Sequence, residues 1–118
     1  MSYDIRLKDA TGATITFPEP HHITGGTYAI GGTQEAWLNI TWNYAPFYYE
    51  HICKENGIRA LYGKTGREVI QLLAPIIGKL GTERSDDYWD ATPGNAGAAL
   101  TDLAALCLKA PHGIIDGD

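Results

Sequence analysis

Apolar residues alternate with polar ones through the first part of the chain and recur at helical spacing through the second. Residues 2–7 put Tyr3, Ile5 and Leu7 on one side, and Asp9-Ala10-Thr11-Gly12 reads as a tight turn. Ile15 and Phe17 mark a second β-rich run over 13–17, so a β-hairpin is expected to open the chain. Pro18 and Pro20 donate no ladder hydrogen bond and should end that strand. Two glycine pairs, Gly25-Gly26 and Gly31-Gly32, flank a short β-prone run at 27–30, after which residues 35–44 form the longest predicted strand. A period of two turns Ala36, Leu38, Ile40, Trp42 and Tyr44 toward a core, and leaves Glu35, Trp37, Asn39, Thr41 and Asn43 on a polar second face.

Helical spacing takes over at Pro46, which suits a first helical turn. Tyr48, Tyr49, Ile52 and Cys53 extend that pattern to about residue 56, where Gly57 supplies a stop. Residues 58–62 read as a connector or a single helical turn. Thr65-Gly66-Arg67-Glu68 is a capping box, opening a helix over 66–80 whose apolar face is Val69, Leu72, Leu73, Ile76 and Ile77. Pro75 is expected to kink or shorten it. Thr92-Pro93 then starts a last helix over 93–109, apolar along Ala96, Ala99, Leu100, Leu103, Leu106 and Cys107, with Gly94, Gly97, Ala98 and Ala104 permitting close approach of a neighbour. Pro111 ends it, and residues 112–118 read as a short apolar tail with a polar end. Strands first and helices later predict an α+β fold, a small, mostly antiparallel sheet from the N-terminal half packed against about three helices from the C-terminal half.

Length and charge narrow this picture. A chain of 118 residues suits a single domain, and its 44% hydrophobic and 19% charged residues are those of a globular protein. The net charge is −5 and the Lys and Arg residues are scattered from Arg6 to Lys109, which argues against nonspecific nucleic-acid binding. There is neither an apolar run long enough for a membrane span nor the pattern of a secretory signal, so a cytoplasmic location is expected. Cys53 and Cys107 sit among apolar residues and read as reduced core thiols, and the Asn39-Ile40-Thr41 sequon then has no consequence.

Candidate chemistry is thin. The glycine pairs, with Thr27 and Tyr28 between them, are not a phosphate loop, because a strand rather than a helix comes next. They read as turn or bulge geometry, with a ligand-contacting loop as the alternative. His21 and His22 are adjacent on an extended segment and cannot jointly clamp one ion. The acidic run Ser85-Asp86-Asp87-Tyr88-Trp89-Asp90 offers oxygen ligands for a hard cation but lacks the rest of a calcium loop. No cofactor is implied. More suggestive are Trp37, Tyr88 and Trp89, aromatic residues among polar neighbours. Beside Asn39, Asn43, Arg59 and Asn95, with Asp86 and Asp87 at the margin, they would form a shelf for a planar ligand or a protein partner. The glycine pairs, including Gly25 and Gly26, are expected to position the polar strand face near Tyr88 and Asn95.

At GGTYAIGGTQEAWLNITWNYA, GIRALYGKTG and DDYWDATPGNAGAAL the chain resembles a group of small proteins of unassigned function in bacteriophage genomes. The resemblance implies a viral origin and action in a host cytoplasm, and it carries no functional residues with it. The expectation is a non-enzymatic binding protein. Its partner would be a host protein, such as a defence component that it inhibits, or a small nucleotide-like signal that it sequesters. The alternatives are an enzyme using Asp86, Asp87 or a histidine in acid-base or metal chemistry, and a virion or assembly component. Self-association through the Gly- and Ala-rich faces of the last helix is a further possibility.

Overall fold

The structure, a computed structural model, describes residues 2–24 and 32–118. Gly25, Gly26, Thr27 and Tyr28, and with them the predicted strand at 27–30, lie outside the described residues. Strand β1 (Ser2–Lys8) is the middle of a three-stranded antiparallel sheet, flanked by β4 (Trp37–Thr41) and β5 (Ile114–Gly117). A separate two-stranded sheet joins β2 (Thr16–His21) to β3 (Thr33–Glu35). The helices are α1 (Ala45–His51), α2 (Gly66–Leu80) and α3 (Pro93–Lys109). Tyr3, Ile5, Leu7, Leu38, Ile40 and Ile115 line the inner face of the main sheet and join Val69, Leu73, Leu100, Leu103 and Leu106 in one buried cluster. The α+β expectation is met, and among the described residues no helix is long and apolar enough to cross a membrane.

Several expectations about individual elements change. Asp9 does close a tight turn, its Oδ1 accepting from Thr11 N at 2.9 Å and Ala13 N at 3.1 Å, but the opening hairpin is vestigial. The bridge Lys8–Thr14, the bond from Ile15 N to Leu7 O (2.9 Å) and one side-chain bond, from Arg6 Nη1 to Thr14 Oγ1 (2.8 Å), link β1 to the run after the turn. The inner positions of β1 find better burial between β4 and β5. Strand β2 runs through Pro18 and Pro20 rather than stopping before them. Among the described residues it pairs only with β3, and it changes register between Thr16 and His21, while Gln34 Nε2 donates to the carbonyls of Phe17 (3.2 Å) and Pro18 (3.1 Å).

The predicted strand 35–44 is really three pieces. A bend at Ala36 separates β3 from β4, and β4 gives way to a 3-10 turn, Trp42–Tyr44, capped by Thr41, whose Oγ1 accepts from Asn43 N at 3.2 Å. Ala36, Leu38, Ile40 and Tyr44 are buried as expected, whereas the turn rotates Trp42 outward to 38% exposure. Thr41 and Asn39, assigned to the polar outer face, are buried.

Helix α1 ends at His51, five residues early: Ile52 N and Cys53 N both donate to Tyr48 O, which widens the last turn, and Gly57 belongs to the following 3-10 turn, Gly57–Leu61. Helix α2 continues through Pro75, where Gln71 and Pro75 are both exposed and water can serve the carbonyl that loses its partner. The capping box of Thr65 and Glu68 is present. The tail holds β5, whose outer edge is closed by bonds from Gly63 N to Ile115 O and from Ile115 N to Lys64 O, each 2.8 Å.

The small residues that open α3 serve the monomer itself. The chain leaving α2 at Gly81 crosses the first turns of α3 so closely that a Cβ on Gly97 would lie 1.8 Å from Gly81 O, and one on Gly94 would lie 1.9 Å from Glu83 O. Both obstacles are backbone, so neither can swing aside. Gly97→Ala is therefore expected to lower unfolding free energy by about 3 kcal/mol or more. Ala98→Gly, one position along the same helix, meets no obstacle and should cost about 2 kcal/mol, from lost helix propensity and one buried methyl. Chemical denaturation of the two variants checks the contrast.

Candidate functional site

The polar segment 81–92 is supported from beneath by Asn95, which is buried at 1% exposure. Thr92 caps α3, its Oγ1 accepting from Asn95 N at 3.1 Å, and this fixes the first helical turn. The Asn95 side chain then faces the loop. Its Oδ1 accepts from Ser85 N at 2.9 Å, while Nδ2 lies 2.9 Å from Ser85 Oγ, 3.1 Å from Asp87 O and 3.0 Å from Asp90 O. Asp87 Oδ1 accepts from Trp89 N at 2.9 Å, closing an Asx turn. From the other side Asn43 Nδ2 donates to Trp89 O at 2.8 Å, and the Tyr44 hydroxyl donates to Tyr88 O. Burial, first of all, pushes the Tyr44 phenol above its ordinary range; Arg84 opposes that shift, and Asp87, Tyr88 and Asp90 add to it.

The scaffold displays a pair of rings. Tyr88 and Trp89 lie with centroids 5.2 Å apart and planes inclined at 36°, and Trp89 is 46% exposed. The 3-10 turn Trp42–Tyr44 carries the surface onward. Asn43 holds the loop, and its neighbour Trp42 lies 5.9 Å from the Tyr3 ring. The guanidinium of Arg59 sits 5.2 Å from the Tyr3 centroid and 5.7 Å from that of Trp42, and its Nε donates to Asp118 O at 2.8 Å. Burial raises the Tyr3 phenol, helped by Tyr49 and opposed by Arg59. Tyr49, 37% exposed, lies over Gly57 at the edge of the same region.

Of the residues singled out in the sequence, the structure thus brings Asn43 to the loop of Tyr88 and Trp89, which also carries Asp86 and Asp87, while Arg59 lies against Trp42, the neighbour of Asn43. Asn95 is the loop's support rather than part of its surface. Asn39 and Trp37 are elsewhere. Asn39 is buried and donates to Ser2 Oγ (2.8 Å) and Asp4 Oδ1 (2.6 Å), which also removes the sequon from solvent. Trp37 pairs with Arg6 at the end of β4 remote from Trp42, so the polar strand face as a whole does not meet the Tyr88 loop. Sequence reasoning missed Trp42, Tyr3 and Tyr49. Thr41 standing a few residues before the helix-starting Pro46 was the available sign that the alternation ends at residue 41.

Some of the residues considered for catalysis are engaged otherwise. His21 is buried, with Nε2 2.6 Å from Glu35 O and Nδ1 accepting from Ile23 N at 3.2 Å. Burial pushes the Cys107 thiol up to about 12, so it is no nucleophile at neutral pH. Ser85 Oγ lies 2.6 Å from Asp87 O inside the loop network. Among the described residues no group of three or more His, Cys, Asp or Glu side chains is placed to hold a metal ion. Compared with family models, curated proteins and solved structures, the chain matches none.

Replacing Asn95 by Ala takes the partner from the part-buried Ser85 N–H, while Asp87 O keeps its bonds from Ser85 Oγ and Asp90 N, and Asp90 O keeps its bond from Thr92 N. At about 1–3 kcal/mol for one donor left unpaired, the expected loss is about 1–3 kcal/mol. Denaturation monitored by tryptophan emission measures it. Near-wild-type stability would show that the loop does not depend on this side chain.

Proposed function

We propose that the protein is a non-enzymatic binding protein that grips another protein through the face formed by Trp42, Asn43, Tyr49, Arg59, Tyr88 and Trp89. The observation that carries this reading is an exposed Trp-Tyr-Arg surface whose backbone is fixed from beneath by a buried asparagine. Trp, Tyr and Arg dominate the energetics of protein interfaces. A surface already ordered before contact loses less entropy when it binds. Folding alone gives no reason to hold the Tyr88–Trp89 pair in the open, since a shorter polar turn would connect α2 to α3.

A protein partner fits better than a nucleotide-like small molecule. Small ligands are enclosed in concave sites, whereas Trp42 and Trp89 stand out from the surface. Depressions of 460, 300, 480 and 290 Å³ are lined by other residues. The enzymatic alternative is weakened because Asp87 is tied into the loop's own bonds and His21 is buried against Glu35 O. The resemblance to phage proteins points to a host protein as the partner, and inhibition of that protein is the natural consequence of covering its surface.

Trp89→Ala and Trp42→Ala should each weaken the complex by about 30-fold or more, a loss of about 2 kcal/mol. Leu108→Ala, which removes an exposed apolar side chain at the other end of α3, should leave it unchanged. Titration calorimetry with the partner purified from expressing cells decides. Retention by the tryptophan variants together with loss by Leu108→Ala would place the interface elsewhere.

A further inference from the structure

Resting on the binding reading above, the chemistry around the face says what kind of surface it meets. Asp86, Asp87 and Asp90 flank the Tyr88–Trp89 pair on its own loop, and all three are exposed. Glu50 adjoins Tyr49 with 71% of its side chain exposed, and Asp118 adjoins Arg59. The cations nearby are already engaged. Arg59 is held by two rings and Asp118 O, and Arg84 pairs with Asp102 at 3.2 Å. His51, beside Glu50 at 3.9 Å, would partly offset the rim only when protonated, and Lys54 is the remaining exposed cation between α1 and the Gly57–Leu61 turn.

The rings themselves favour positive charge. An aromatic face attracts a guanidinium or ammonium group, and the protein already uses this on Tyr3 and Trp42, which hold Arg59, and on Phe17, which holds Lys109. Among the described residues no such cation is recorded over the Tyr88–Trp89 pair. We infer that the partner presents a basic segment, with a lysine or arginine side chain laid on the Tyr88–Trp89 rings and further cations meeting the carboxylates around them. An acidic partner would bring like charges together across the rim, which costs affinity and slows encounter. The net charge of −5 extends the same preference to long range.

The probe is a short lysine- and arginine-rich peptide, with a glutamate-rich twin and an uncharged twin of equal length, each titrated to millimolar concentration. The readout is the NMR shift of the Trp89 and Trp42 indole N–H signals. The basic peptide should move both, and its affinity should fall several-fold as salt rises from about 0.05 M to about 0.5 M. Glu50→Gln with Asp86→Asn removes two rim charges not used in the loop's own bonds. This double variant should bind the peptide several-fold more weakly at low salt while melting at the wild-type temperature. If the acidic or the uncharged twin moves the indoles as strongly as the basic one, the inference about charge is overturned while the face remains a binding surface. If the basic peptide leaves both indoles unmoved, the inference is overturned, and loss of the cellular complex in Trp89→Ala then decides the binding reading separately.

Discussion

The structure depends on one buried amide. Asn95 sits in the first turn of α3, where helix geometry aims its side chain at the passing chain rather than at solvent, and one side chain then meets groups of Ser85, Asp87 and Asp90. Such a contact needs the loop backbone packed directly against the backbone of the helix, which Gly94 and Gly97 permit because they lack a Cβ. A buried polar network of this kind stabilises when it is complete and is costly when one member fails. The same arrangement therefore explains why small residues open α3, why the connection from α2 is ordered without secondary structure, and why two aromatic rings can be carried outside the core.

A second constraint joins this loop to the sheet. The turn at Trp42–Tyr44 ends β4 and starts α1, and its three residues act in three directions. Tyr44 turns inward and bonds Tyr88 O, Asn43 bonds Trp89 O, and Trp42 turns outward to stack with Tyr3 and Arg59. Arg59 in turn holds Asp118, whose Oδ1 accepts from Asp4 N at 3.0 Å. The candidate face is thus assembled from both ends of the chain and its middle, all braced by hydrogen bonds to backbone. A surface built this way can meet a partner with little rearrangement, which is the physical basis for reading it as an interface.

Much of the fold was legible because local chemistry and global packing agree. The capping box at Thr65, the cap at Thr92 with Pro93 behind it, and the alternation through β1 each predict the element found. Legibility failed where a residue's role is set by a distant partner. Ile114 to Gly117 is too short to declare itself as a strand, and only the open edge of β1 makes it one. Pro18 and Pro20 were given their usual meaning, which Gln34 overrides by bonding the carbonyls of Phe17 and Pro18. Half of the site was visible as aromatics among polar neighbours. Trp42 was hidden because a 3-10 turn interrupts a period that the sequence continues, and Asn95 was visible only as a polar residue, since nothing in one helical turn reveals which loop will cross it.

The central claim is that the Tyr88–Trp89 surface is ordered before any partner arrives. Amide hydrogen exchange of the isolated protein tests it most directly. Ser85 N–H and Trp89 N–H, held by Asn95 Oδ1 and Asp87 Oδ1, should exchange about 100-fold or more slowly than unprotected amides, opening together with the first turn of α3. Exchange of both at unprotected rates while α3 stays protected would contradict the account.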